Sequence, residues 1–341
     1  MATHFTLTFA ATFLVALSFA GASPSAPRPA RPLRSGGLLL VANKGDRTLS
    51  VIDPETGKQI AAVPESGVTG HEVIASPDGA RPFVPIYGNS GVGLPGTDGG
   101  TIDVIDLTSN RVTQTFDFGH GVRPHCILAG PKDGLLYVTT ELDDAITLID
   151  PATMRVVGKV PTGQPESHML AISSDGKRGY TANVGPGTVS VLDLVARKSV
   201  RVIAVTTHVQ RVSISPDGRW VFTSDTEKPR LAVIDTATDN VDRWIELPGT
   251  GYGTASTPDG KWLLVALPGA NGVAVIDLVT LKVAKTVTVP PSPQEVLVRP
   301  DGKAAYVSCD SSHQVAKIDL ATWDVKLFEA GRGADGLAWA Q

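Results

Sequence analysis

The chain has 341 residues, 42% of them hydrophobic and 19% charged, with a formal net charge of −4 at pH 7. That length suits one large all-β domain or two ordinary ones, and the apolar content is ample for a core. The charge leaves no basic footprint for nucleic acid, and two cysteines, Cys126 and Cys309, give neither a disulfide framework nor metal-type spacing.

The chain opens on an apolar run over residues 5–20, followed by the small residues Gly21, Ala22 and Ser23. Residues 1–23 therefore read as a signal peptide, although its start offers only His4 in place of Lys or Arg. An uncleaved apolar anchor is the alternative. The run is short for a membrane span, so none is expected in the mature chain. The Pro/Ala/Arg stretch at 24–36 reads as a disordered linker. The expected location is the periplasm or the outside of the cell.

From residue 37 onward two phrases recur. One begins at His71 as His-Glu-Val-Ile-Ala-Ser-Pro-Asp-Gly and returns from His125, His168, Gln210, Tyr252 and Gln294. Each copy is a β-rich run that ends in a turn, where Pro fixes φ, Asp caps and Gly accepts φ > 0. The other, apolar-Ile/Leu-Asp, closes a strand at Asp53, Asp106, Asp150, Asp193, Asp235, Asp277 and Asp319. These aspartates read as turn caps. Their spacing defines seven units of about forty-two residues, the length of a four-stranded propeller blade.

No stretch has a useful helical period, while alternations such as Val-Ser-Val and Thr-Leu-Ile are strand chemistry. The first unit lacks its opening strand and the chain ends with a spare one at 335–340. Pairing the two closes the ring and removes two open edges. The prediction is a single all-β domain over 37–341, a seven-bladed β-propeller closed by its C-terminal strand on the N-terminal blade.

Tyr137-Val-Thr, Tyr180-Thr-Ala-Asn183 and Tyr306-Val-Ser, with the Ser-Pro-Asp-Gly and Val-Ile-Asp phrases, resemble the YVTN-repeat family of seven-bladed propellers. The resemblance implies the fold over nearly all of 37–340. For function it implies little, since such relatives include surface-layer and periplasmic proteins, and the architecture recurs in amine dehydrogenase subunits, lactonases and lyases.

In such a blade the first strand is innermost, so the six histidines after residue 36 fall on one face of the disc. His71, His125 and His168 hold one repeat position in successive blades beside the channel. His120 and His208 lie in connections before inner strands, and His313 in a late loop. The same face carries an insertion at 88–100, entered by Tyr87, together with Glu141, Asp143, Asp144 and Glu166.

Three converging imidazoles with Gln210 next in line define a candidate site for a divalent transition metal such as Zn, Mn, Fe or Cu. Glu72 or Glu166 are candidates to orient an imidazole. Tyr252 or His208 are the candidate bases for chemistry on that metal, a lyase reaction first and an oxygenase reaction second. Oligogalacturonate lyases and carotenoid-cleaving oxygenases resemble this arrangement only in placing several histidines on a metal in a propeller.

Arg123, Arg211, Glu166, Gln294 and Tyr87 are the candidate contacts for a small-molecule or glycan ligand. For both arginines the alternative is an ion pair with Glu72, Glu166 or Glu295, and Asp335 is a further partner. The bland reading makes the histidines loop braces that hydrogen-bond nearby carbonyls. The chain would then be a non-catalytic scaffold for a protein, glycan or envelope component. Either way a monomeric ring is expected, without nucleic acid as partner. No Cys-x-x-Cys-His, P-loop or Gly-x-Ser-x-Gly motif is present.

Overall fold

A computed structural model describes Met1 and residues 36–341. The expected signal peptide beyond Met1, and the linker up to residue 35, lie outside the described residues.

Twenty-eight strands, β1 to β28, form seven four-stranded antiparallel sheets among the described residues. Each sheet is one blade. The first is assembled from both ends of the chain: β1 (Leu38–Asn43), β2 (Thr48–Ile52) and β3 (Gln59–Pro64) carry β28 (Ala334–Ala340) as their inner strand. Leu39 pairs with Trp339 and Leu40 with Ala338, so the predicted closure is present. The other inner strands are β4 (Ile74–Ala75), β8 (Pro124–Ala129), β12 (Ser167–Ile172), β16 (Ser213–Ile214), β20 (Thr254–Ser256) and β24 (Pro293–Val298).

Burial follows from position in the blade. The second strand is clamped between blades on both faces, and so reads as a continuous apolar run: Phe83, Val84 and Ile86 of one blade, and Trp220, Val221 and Phe222 of another, are all buried. The fourth strand is the rim, where Lys198, Val200, Arg201, Val202 and Ala204 are exposed to solvent. The repeated turns are built as their residues require. Gly79, Gly218, Gly260 and Gly302 take φ of 69°, 72°, 70° and 68°. The preceding Asp78, Asp217, Asp259 and Asp301 each accept a backbone N–H two residues on, at 3.0–3.1 Å. The strand-ending aspartates cap turns in the same way, as where Asp150 Oδ1 accepts from Ala152 N at 2.8 Å.

The inner strands are less regular than the repeat suggests. In β8, β12, β24 and β28 one extra residue is inserted against the neighbouring strand, between Pro124 and Ile127, Ser167 and Met169, Pro293 and Val296, and Ala334 and Leu337. His125, His168, Gln294 and Asp335 sit within these bulges. A bulge breaks the ladder and re-aims a side chain, which here places the repeat position at the channel mouth.

Candidate functional site at the channel mouth

Seven blades contribute one residue each to a ring at the mouth, namely His71, His125, His168, Gln210, Tyr252, Gln294 and Asp335. The imidazoles come together. His125 and His168 have ring centroids 3.5 Å apart, and His71 lies 5.2 Å from His125. Tyr87 is the wedge among them, with its ring 4.9, 5.3 and 6.0 Å from His71, His125 and His168.

His168 is aimed by a carboxylate. Its Nδ1 bonds Glu141 Oε1, and Tyr87 donates its hydroxyl to Glu141 Oε2 at 2.7 Å. All three residues are buried. With Nδ1–H donated, Nε2 is the acceptor and faces Gln210 Nε2 at 3.5 Å. The carboxylate that orients His168 is thus Glu141, from the short 3-10 turn after a second strand, and not Glu72 or Glu166. Tyr87 is a buried positioning group, and burial together with Glu141 pushes its phenol far above the ordinary range.

His125 differs. It is 1% exposed, and its Nδ1 has no hydrogen-bond partner. Burial holds its imidazole neutral, well below the usual pKa, and the neighbouring His168 and His71 add to the effect. His71 is likewise pushed down by burial, to about 3, against the pull of Asp335, whose Oδ2 lies 3.7 Å from its Nδ1. Two neutral imidazoles therefore meet beside a third that a carboxylate orients.

The two arginines make ion pairs within the chain. Arg123 donates Nε to Asp98 Oδ1 at 2.6 Å, Nη2 to the Leu94 carbonyl at 2.8 Å and Nη1 to the Gly91 carbonyl at 3.3 Å. It pins the insertion, which spans the mouth of the third blade. A Cβ on Gly93 would stand 2.6 Å from Glu166 Oε1, and Glu166 itself accepts from Gly185 N at 2.7 Å. Arg211, 4% exposed, donates to Glu72 Oε1 at 2.6 Å and to Asp335 Oδ1 at 3.1 Å. Both guanidiniums thus pair within the chain, Arg211 through its two Nη atoms, and Glu166 sits beside the insertion at Gly93.

Tyr252 lies beneath Arg211, 5.1 Å from its guanidinium, and burial raises its phenol. Gln294 bonds the Ser292 carbonyl at 3.3 Å. His208 offers its carbonyl to Thr226 and no described residue bonds its imidazole. The exposed His120 pairs with Asp143 at 3.0 Å, away from the ring. Sequence reasoning missed Lys44, whose Nζ lies 3.1 Å from Asp335 and 3.4 Å from Asp310. No local motif marks it. Among the described residues no group of three or more His, Cys, Asp or Glu side chains is placed to hold a metal ion.

Fold and site together define a seven-bladed β-propeller with a histidine-bearing mouth. Residues 129–243, about a third of the chain, match the family model described as the cytochrome D1 heme domain. That stretch includes Glu141, His168, His208, Gln210 and Arg211. The chain is also similar to the seven-bladed beta-propeller protein Rv1057 of Mycobacterium tuberculosis, 28% identical over 136 residues. Those residues make up 39% of this chain and 31% of that protein, so the match spans under a third of the relative's length.

Among solved structures, the chain resembles the hydrazine synthase of Kuenenia stuttgartiensis, with a TM-score of 0.71 and 21% identity over 85% of this chain and 94% of that one. It also resembles the dihydro-heme d1 dehydrogenase NirN in complex with DHE, with a TM-score of 0.62 and 17% identity over 92% and 77%. At these identities the likeness is one of fold.

Proposed function

We propose that this protein is an exported ligand-binding propeller whose mouth takes a transition metal carried by its own organic ligand, a metal tetrapyrrole, which His125 would hold through a ring nitrogen. The observation that carries the reading is the buried, neutral, unpartnered Nδ1 of His125 beside the carboxylate-oriented His168. Such an orphaned ring nitrogen carries a desolvation cost that a bound partner would relieve. A tetrapyrrole asks the protein for only one or two axial imidazoles, which suits a ring without a three-residue metal cage. The match of 129–243 to a heme-domain model and the likeness in fold to a dihydro-heme d1 dehydrogenase agree with this chemistry. Export rests on the apolar run at 5–20, and no described helix is long and apolar enough to cross a membrane. Kinship with the YVTN-repeat family rests on the tyrosine motifs and the Ser-Pro-Asp-Gly and Val-Ile-Asp phrases.

When bound, the metal supplies a coordination position and a redox couple. The chain's own residues do the rest: His125 offers a lone pair, Glu141 and Tyr87 fix the ring of His168, and Arg123 holds the insertion over the site. The geometry gives no support to lyase or oxygenase chemistry with Tyr252 or His208 as base.

Untagged protein titrated with ferric haem, and separately with Zn, Mn, Fe and Cu ions, tests the reading. One equivalent of haem with a shifted Soret band is expected, weakened at least tenfold (about 1.4 kcal/mol) in His125→Ala, weakened less in Glu141→Gln and unchanged in His208→Ala. Stoichiometric uptake of a bare ion without haem would instead favour a site of His71, His125, His168 and Gln210. No uptake of either by folded protein would sink the proposal and favour a scaffold that grips a protein, glycan or envelope component.

A further inference from the structure

Below the histidine ring the channel continues into a cavity of about 350 Å³ that the mouth residues do not line. Its ceiling is Glu72, Arg211 and Glu295, each one residue past the ring, and its walls are apolar: Ile74, Leu128, Leu170, Leu297, Ala338 and Trp339 among them. Ile74, Leu128, Leu297 and Trp339 are half-buried, so the cavity reaches solvent on the face away from the histidines. It is at the small end for a ligand site.

The ceiling has a defined polarity. Glu72 and Asp335 take both Nη atoms of Arg211, but its Nε is buried with no hydrogen-bond partner. Glu295, with Oε2 3.9 Å from Arg211, accepts from Leu337 N at 2.8 Å. Burial and the charge of Glu72 push its carboxyl well above the usual range, which keeps it neutral. Arg211 thus keeps one unspent N–H at this ceiling, next to two acidic side chains.

We propose that this lower cavity binds a neutral, mainly aliphatic small molecule that ends in a carbonyl acceptor, with the carbonyl on Arg211 Nε and the chain along Leu128, Leu297 and Trp339. The acceptor would satisfy a buried donor whose desolvation is otherwise uncompensated. A carboxylate head is disfavoured, because it would stand beside the Glu72 carboxylate. The walls exclude bulky polar groups.

The test is calorimetric titration of the full chain with 2-nonanone and with nonanoate, backed by tryptophan fluorescence. The expected result is saturable ketone binding with Kd below about 1 mM and nonanoate at least tenfold weaker. Leu128→Trp and Leu297→Trp, at the half-buried rim, should each weaken the ketone at least tenfold, while His125→Ala leaves it unchanged. That last variant separates this site from the mouth. Absent ketone binding, equal binding of the acid, or binding that survives both rim variants would overturn the assignment.

Discussion

Arg211→Leu is the substitution that tests the axial charge layer most directly. Two carboxylates, Glu72 and Asp335, there face two cations, Arg211 and Lys44, at 2.6–3.1 Å, while Glu295 stays neutral. Although burial opposes it, Lys44 and Arg211 keep Asp335 ionised, below its ordinary pKa. Removing Arg211 leaves two buried carboxylates facing one lysine. Breaking a buried pair in this way costs about 3–5 kcal/mol, since the surviving charge stays desolvated. Equilibrium denaturation followed by tryptophan fluorescence at pH 8 and pH 5 is the assay. The deficit should be largest at pH 8. It should shrink at pH 5, because an unpaired Glu72 in the folded variant binds a proton more tightly than in the unfolded chain, so falling pH restores stability. Arg211→Leu with Glu72→Gln should recover much of the loss. A single variant within about 1 kcal/mol of wild type, or a deficit independent of pH, would refute the reasoning.

Two other substitutions probe the frame around this layer. Burial, with backbone donation from Gly70 opposing it, pushes Glu65 up to about 7. Its folded pKa is raised, so the stability it contributes is present below about pH 4.5 and is lost as pH rises through 7. Compared with Glu65→Gln, wild type should weaken over that window at up to about 1.4 kcal/mol per pH unit, read from denaturation midpoints; parallel profiles would count against it. In the closing strand, Ala338 pairs with Leu40, and Ala338→Pro removes a ladder N–H in a buried strand. A cost of about 3 kcal/mol or more is expected by thermal unfolding, and a near-neutral result would show that closure contributes little.

The fold is legible in the sequence because turns and strands are local. Pro-Asp-Gly demands its turn wherever it occurs, and an apolar run of six residues needs cover on both faces, which only a ring of blades provides. Equal repeat positions at equal radius then bring His71, His125 and His168 together. The same symmetry hides the rest. Arg211 reaches Glu72 and Asp335 across 139 and 124 residues of sequence, a contact set by channel width and side-chain length, neither of which the repeat encodes.

The extra residue in each bulge leaves no composition signal, yet it decides where His125 and His168 point. In the sequence Arg123 looks like an anion contact, but the insertion's carbonyls need a donor and take it. Tyr87 lies in the second strand of one blade and Glu141 in the turn just after the second strand of the next, so their union with His168 exists only once those blades pack. A repeat fixes which side chains share a radius; the departures from it at the axis, one bulge and one long side chain at a time, leave His125 unpaired above the charge layer and Arg211 Nε unpaired within it.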